Sequence, residues 1–148
     1  MLRPALALRA ARTLCTHVTA ALLLALSAAS GSAQSSSAPA DSVRNAANGV
    51  YSGDQAAKGE TLFAGTCGNC HGITEFSGPA FRRAWAGRTV YDMFDQLRAT
   101  MPLDNPGGLS REQYAAVIAY LMSVNRYPAA DVDLPSADAD LRRVRFDP

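Results

Sequence analysis

The run Cys67-Gly68-Asn69-Cys70-His71 constrains this chain more than any other stretch. Two thiols three positions apart can add to the two vinyl groups on one edge of a porphyrin, and the adjoining imidazole is then held where it can ligate the iron. In an exported chain, C-x-x-C-H is the signature of covalent haem attachment. Thioether bonds keep such a cofactor in place without a large pocket. The competing readings are a chance C-x-x-C before a histidine and a thioredoxin-like dithiol, since Cys-Gly-Asn-Cys resembles such redox motifs.

Export is itself legible. Residues 1–33 carry a basic start (Arg3, Arg9, Arg12), an apolar stretch from Val18 to Ala29 and the small-residue site Gly31-Ser32-Ala33, the three parts of a secretory signal. Cleavage is expected after Ala33. The apolar stretch is short of the ~20 residues of a spanning helix, so no stable membrane span is expected once the signal is gone; retention as an anchor is the alternative. Of the 14 Lys and Arg, three lie in this segment, which leaves 11 against 13 Asp and Glu, a balance of −2. That near-neutral balance gives no sign of nucleic-acid binding.

Removal of the signal takes Cys15 and His17 with it. Cys67 and Cys70 are then the only thiols and His71 the only imidazole. A structural zinc site normally takes four such ligands, and a disulfide framework needs more cysteines, so neither fits. An oxidising compartment would ordinarily close a lone C-x-x-C pair, so haem attachment requires a system that delivers both reductant and haem there.

Residues 34–50, rich in Ser, Ala and Asn, read as a disordered leader. Structure is expected from 51 to 127. Ser52-Gly53-Asp54-Gln55 has the form of a capping box and opens a helix with Ala56, Gly59, Leu62 and Phe63 on one side. Gly59 costs about 1 kcal/mol relative to Ala inside a helix, which points to another backbone passing close by. Gly72 to Gly87 reads as irregular, with a turn at Gly78-Pro79 and apolar bulk from Phe81 and Trp85. Thr89 to Asp92 caps a second helix carrying Val90, Met93, Phe94 and Leu97, and Pro102 stops it near Thr100. Ser110 to Gln113 caps a third, with Tyr114, Val117, Ile118 and Leu121 buried, ending before Pro128. No stretch alternates with the period of a strand, which weakens the thioredoxin-like reading.

Over roughly residues 50 to 127 the chain resembles the mono-haem class I c-type cytochromes. The likeness rests on Gly59, Phe63, the Cys67 to His71 motif, Gly78-Pro79, Met101-Pro102 and Val117-Ile118-Ala119-Tyr120-Leu121. It implies a small all-α, cytochrome c-like fold of three or more helices around one covalently bound haem c. It further implies that Gly59 and Phe63 cross Val117 and Tyr120, and that the Pro79 carbonyl accepts a hydrogen bond from His71. It is silent on the leader and on residues 128–148.

Three methionines remain in the exported chain. Met93 and Met122 are set into helices, where methionine is most often core filler. Met101 stands in a loop beside Pro102 and is the expected second axial ligand, opposite His71, with His/Met coordination as precedent. Iron closed on both axial sides favours outer-sphere electron transfer over catalysis. The expected role is therefore a periplasmic single-electron carrier, reduced by an exported dehydrogenase and oxidised by an oxidase or another cytochrome. The cytochrome subunit of an exported dehydrogenase, for example a quinoprotein, is the alternative, and a haem-free thiol-disulfide oxidoreductase a weaker one. Trp85 reads as core, while Arg82, Arg83 and Arg88 stay open between propionate partners and a solvated face. The extension from 128, with Asp131, Asp133, Asp138 and Asp140 before Arg142, Arg143 and Arg145, reads as a strap or frayed end in preference to a docking element.

Overall fold

The last long helix organises the rest, because its sequence is apolar on every side and must be surrounded. In the computed structural model, which describes residues 42–147, this is α4 (Arg111–Val124), with every residue from Tyr114 to Ala119, Leu121 and Met122 buried. Before it come β1 (Arg44–Asn45), α1 (Gly53–Leu62), α2 (Gly78–Trp85) and α3 (Val90–Thr100). After it come α5 (Asp138–Leu141) and β2 (Val144–Arg145). The fold is the small all-α arrangement expected. Its one sheet is the parallel pair β1 and β2, two residues each, so the described residues contain nothing like a thioredoxin sheet. No helix among them is long and apolar enough to cross a membrane. The expected signal, 1–33, lies outside the described residues.

α1 crosses α4 at Gly59. A Cβ built there would lie 1.9 Å from the Ala116 carbonyl oxygen and 3.0 Å from the Tyr120 Cβ, so only glycine admits the approach. One turn on, Phe63 packs against Tyr120 with the rings tilted at 56° and their centroids 5.6 Å apart. The helix starts where the sequence predicts, with the Ser52 hydroxyl accepting from the Gln55 amide at 3.0 Å. The capping box is only half made, however. The Gln55 side chain is buried and turns to the C-terminal segment, accepting from the Leu134 amide at 2.7 Å and donating to the Leu134 carbonyl at 2.9 Å. The Thr89 and Ser110 boxes are reciprocal, as read.

Two expectations are corrected and a third is narrowed to one of its alternatives. The disordered leader does not extend to residue 50: Arg44 to Asn48 form β1 and a 3-10 turn, and Ala46 and Val50 are fully buried, because the C-terminal segment returns to cover them. The part of that leader before residue 42 lies outside the described residues. The stretch 72–87 is not irregular, since a 3-10 turn (Ile73–Phe76) precedes α2, whose first turn holds Pro79, a placement its missing N–H permits. Of the two forms expected for the C-terminal extension, residues 128–147 take that of the packed strap. Leu134, Leu141, Val144 and Phe146 are buried, and Phe146 exchanges backbone hydrogen bonds with Gly87 and Arg88 in the link before α3. Arg111 holds the strap from the start of α4, donating to the Ser136 carbonyl at 2.6 and 2.8 Å and pairing with Asp138.

Candidate haem site

α1 does not stop at Leu62. It runs into a wider, π-helical turn, Phe63–Cys67, closed by the Gly68 amide on the Phe63 carbonyl at 2.7 Å. Such turns occur mostly as single bulges, frequently at functional sites. The Cys67 carbonyl then accepts from both the Cys70 and His71 amides, at 3.1 and 2.9 Å, so the two cysteines and the histidine share one tight turn at the end of a rigid helix. Both cysteines are free. Cys67 is half-buried, and that burial pushes its thiol above the usual range; Cys70 is exposed.

His71 is half-buried, with its ring edge-on to Phe76 at 5.3 Å. Its Nδ1 meets Glu75 Oε2 at 3.2 Å. This differs from the Pro79 contact that the resemblance implies. Pro79 is built into the first turn of α2, whereas Glu75 sits four residues on, at a 3-10 turn whose geometry aims its carboxylate back. The other Glu75 oxygen accepts from the Gly72 amide at 2.7 Å, and this backbone bond first, then His71, holds its carboxyl below the usual range. With a proton on Nδ1 shared to Glu75, Nε2 is the nitrogen left to bind a metal.

Met101 comes from a different element, at the C-terminal cap of α3. Its amide donates to the Leu97 carbonyl at 2.8 Å, and its carbonyl accepts from the Tyr114 hydroxyl at 2.6 Å. Met101 is half-buried, whereas Met93 and Met122 are fully buried in the core.

Sequence reasoning missed Asn125. It is buried, donates to the Phe76 carbonyl at 2.7 Å and the Leu121 carbonyl at 2.8 Å, and accepts from the Gly78 amide at 3.0 Å. The end of α4 thereby pins the segment that follows His71. An Asn at a helix end reads as an ordinary stop, so its long-range partners left no local signal. Trp85 packs between Phe81 and Phe146, at 6.3 and 6.1 Å, which agrees with the core reading. Arg88 lies 4.3 Å over its ring, and Arg82 donates to the Asn125 carbonyl at 3.4 Å. A groove of about 630 Å³ between α2 and the end of α4 touches Pro79 but none of Cys67, Cys70, His71 and Met101, so donor chemistry, not concavity, marks the site.

The donor set fits a haem. Two free thiols in one turn, one imidazole nitrogen and one thioether are the attachment and ligation groups of a c-type centre. Leu62, Ile73, Phe76, Leu97 and Leu109 pack on the core while keeping part of their surface open, which suits a flat apolar cofactor. A family model described as Cytochrome C oxidase, cbb3-type, subunit III matches residues 54–121. No curated protein and no solved structure gave a match. The matched stretch runs from the first turn of α1 through the cysteine and histidine turn, α2, α3 and most of α4. Residues 54–121 are thus a c-type cytochrome domain, consistent with a mono-haem class I cytochrome c.

Proposed function

We propose that this chain is an exported single-electron carrier, in which Cys67 and Cys70 hold one haem c through thioethers and His71 and Met101 are the axial ligands of its iron. The observation that carries the reading is the placement of two free thiols and one imidazole in a single turn inside a c-type cytochrome domain. When bound, the haem supplies a one-electron couple between ferrous and ferric iron. The remaining work belongs to the chain. With a proton on Nδ1, His71 donates a hydrogen bond to Glu75 Oε2, which fixes the ring and raises its basicity as outer partners of a ligand do. Asn125 fixes the segment behind that ring. The soft thioether of Met101 stabilises ferrous over ferric iron and so raises the potential.

Cleavage after Ala33, a periplasmic location, an exported dehydrogenase as donor and an oxidase or another cytochrome as acceptor belong to the same proposal. Leu103, 81% exposed and two residues from Met101, is the apolar contact offered to those partners. The test is a spectrum and potential of the holoprotein and three variants. Met101→Ala is expected to open the iron and lower the potential, while Met93→Ala and Met122→Ala keep both. The opposite pattern would assign ligation to another sulfur.

A second reading is a cytochrome subunit held in a larger enzyme, which the matched family's description as an oxidase subunit favours. The strap gives it little support as a docking tail, because Leu134, Leu141, Val144 and Phe146 are already spent inside the domain and Val132 alone of its large apolar side chains is exposed. Copurification with a larger catalytic chain would select this reading over the free carrier.

A further inference from the structure

Tyr114 is 1% exposed, in the first turn of α4. Its ring packs edge-on to Phe94 at 5.9 Å, and its hydroxyl leaves that apolar packing to donate to the Met101 carbonyl at 2.6 Å. A buried phenol needs a partner, and the last carbonyls of a helix have none within it, so the bond satisfies both needs at once. Because the Met101 amide is already fixed by the Leu97 carbonyl, the residue is held at both backbone groups, by the end of α3 and by the start of α4. Its backbone is thereby set in the extended conformation (φ −131°, ψ 150°) in which the chain leaves the helix. Two-point fixation of a backbone restricts the directions in which its side chain can reach.

We propose that Tyr114 is a positioning residue for the distal ligand, its hydroxyl holding Met101 so that the thioether resists displacement from ferric iron. This rests on Met101 being the axial ligand. Tyr51 supplies the control, since it is equally buried and its hydroxyl makes the same kind of bond, to the Tyr127 carbonyl at 2.6 Å, in a part of the fold remote from Met101 in sequence and bonding. Tyr114→Phe and Tyr51→Phe each remove one hydroxyl and keep the ring, so both retain the packing that folds the chain.

The experiment titrates ferric holoprotein with imidazole and follows loss of the sulfur-to-iron charge-transfer band, with the reduction potential as a second readout. Tyr114→Phe is expected to lose the band at about tenfold lower imidazole, the equilibrium value of one hydrogen bond to a partly buried carbonyl, and to have a lower potential. Tyr51→Phe is expected to melt earlier yet match the parent in both readouts. Equal displacement in Tyr114→Phe and the parent, or an equal shift in Tyr51→Phe, would overturn the positioning role while leaving Met101 a ligand. A parent protein without the band would remove Met101 as ligand and the positioning role with it.

Discussion

A methyl group at Gly59 would lie 1.9 Å from a backbone oxygen of α4, and backbone cannot step aside as a flexible side chain can. Gly59→Ala is therefore expected to cost about 1–3 kcal/mol or more, an overpacking penalty that outweighs the gain in helix propensity, measured by denaturant unfolding of the holoprotein. An unchanged or raised stability would mean that the helices do not cross there. Asn125→Leu keeps the branched shape but removes the side-chain partners of the Phe76 carbonyl and the Gly78 amide, at a cost of about 1–3 kcal/mol for each group left unpaired. The same variant is expected to shift the potential through the His71 side, a change that a purely structural loss elsewhere would not bring. Gly59 was legible because a glycine inside a helix is costly and asks for a reason. Gln55, Asn125 and Tyr114 were not, because each serves a backbone group far away in sequence, and nothing local marks such a partner. Ser52 to Gln55 even misleads, since its capping form hides that Gln55 faces the strap.

Among the elements, the helices with reciprocal capping boxes, α3 and α4, begin where their sequences say, because the signal and the structure it forms are both local. α2 and the strap escaped the same reading. α2 is eight residues long with no side-chain cap, and the strap folds only by laying scattered apolar residues, Leu134, Leu141, Val144 and Phe146, on a surface made by others. Phe146→Ala is expected to cost about 3–5 kcal/mol, as for other large buried rings, enough to endanger a domain of ordinary stability. The strap also has an acid-sensitive tie. Glu112 is held below the usual carboxylate range, first by its own backbone amide and then by the Ser136 hydroxyl, which it accepts at 2.9 Å. A folded-state value that is depressed contributes stability above the ordinary glutamate range and loses it as pH falls through the depressed value. The protection of amides in residues 134–138, taken relative to the intrinsic exchange rate at each pH, is therefore expected to fall in that acidic window and not between neutral pH and the ordinary range. Glu112→Gln should remove the change.

At the scale of the whole molecule, the near-balance of charge leaves little long-range steering, so docking of the proposed carrier would fall to local contacts such as the exposed Leu103. Reduction by the native donor is expected to depend weakly on ionic strength and to slow when Leu103→Asp places a charge there; a steep salt dependence with no effect of that variant would move the interface elsewhere. Everything proposed about electron transfer depends on one covalent event at Cys67 and Cys70. The most direct measurement is the intact mass of the exported protein, taken under denaturing conditions with thiols blocked beforehand. The predicted result is the mass of residues 34–148 plus one haem, with no blocked cysteine. A polypeptide mass without haem, carrying two blocking groups or a closed Cys67 to Cys70 disulfide, would contradict it.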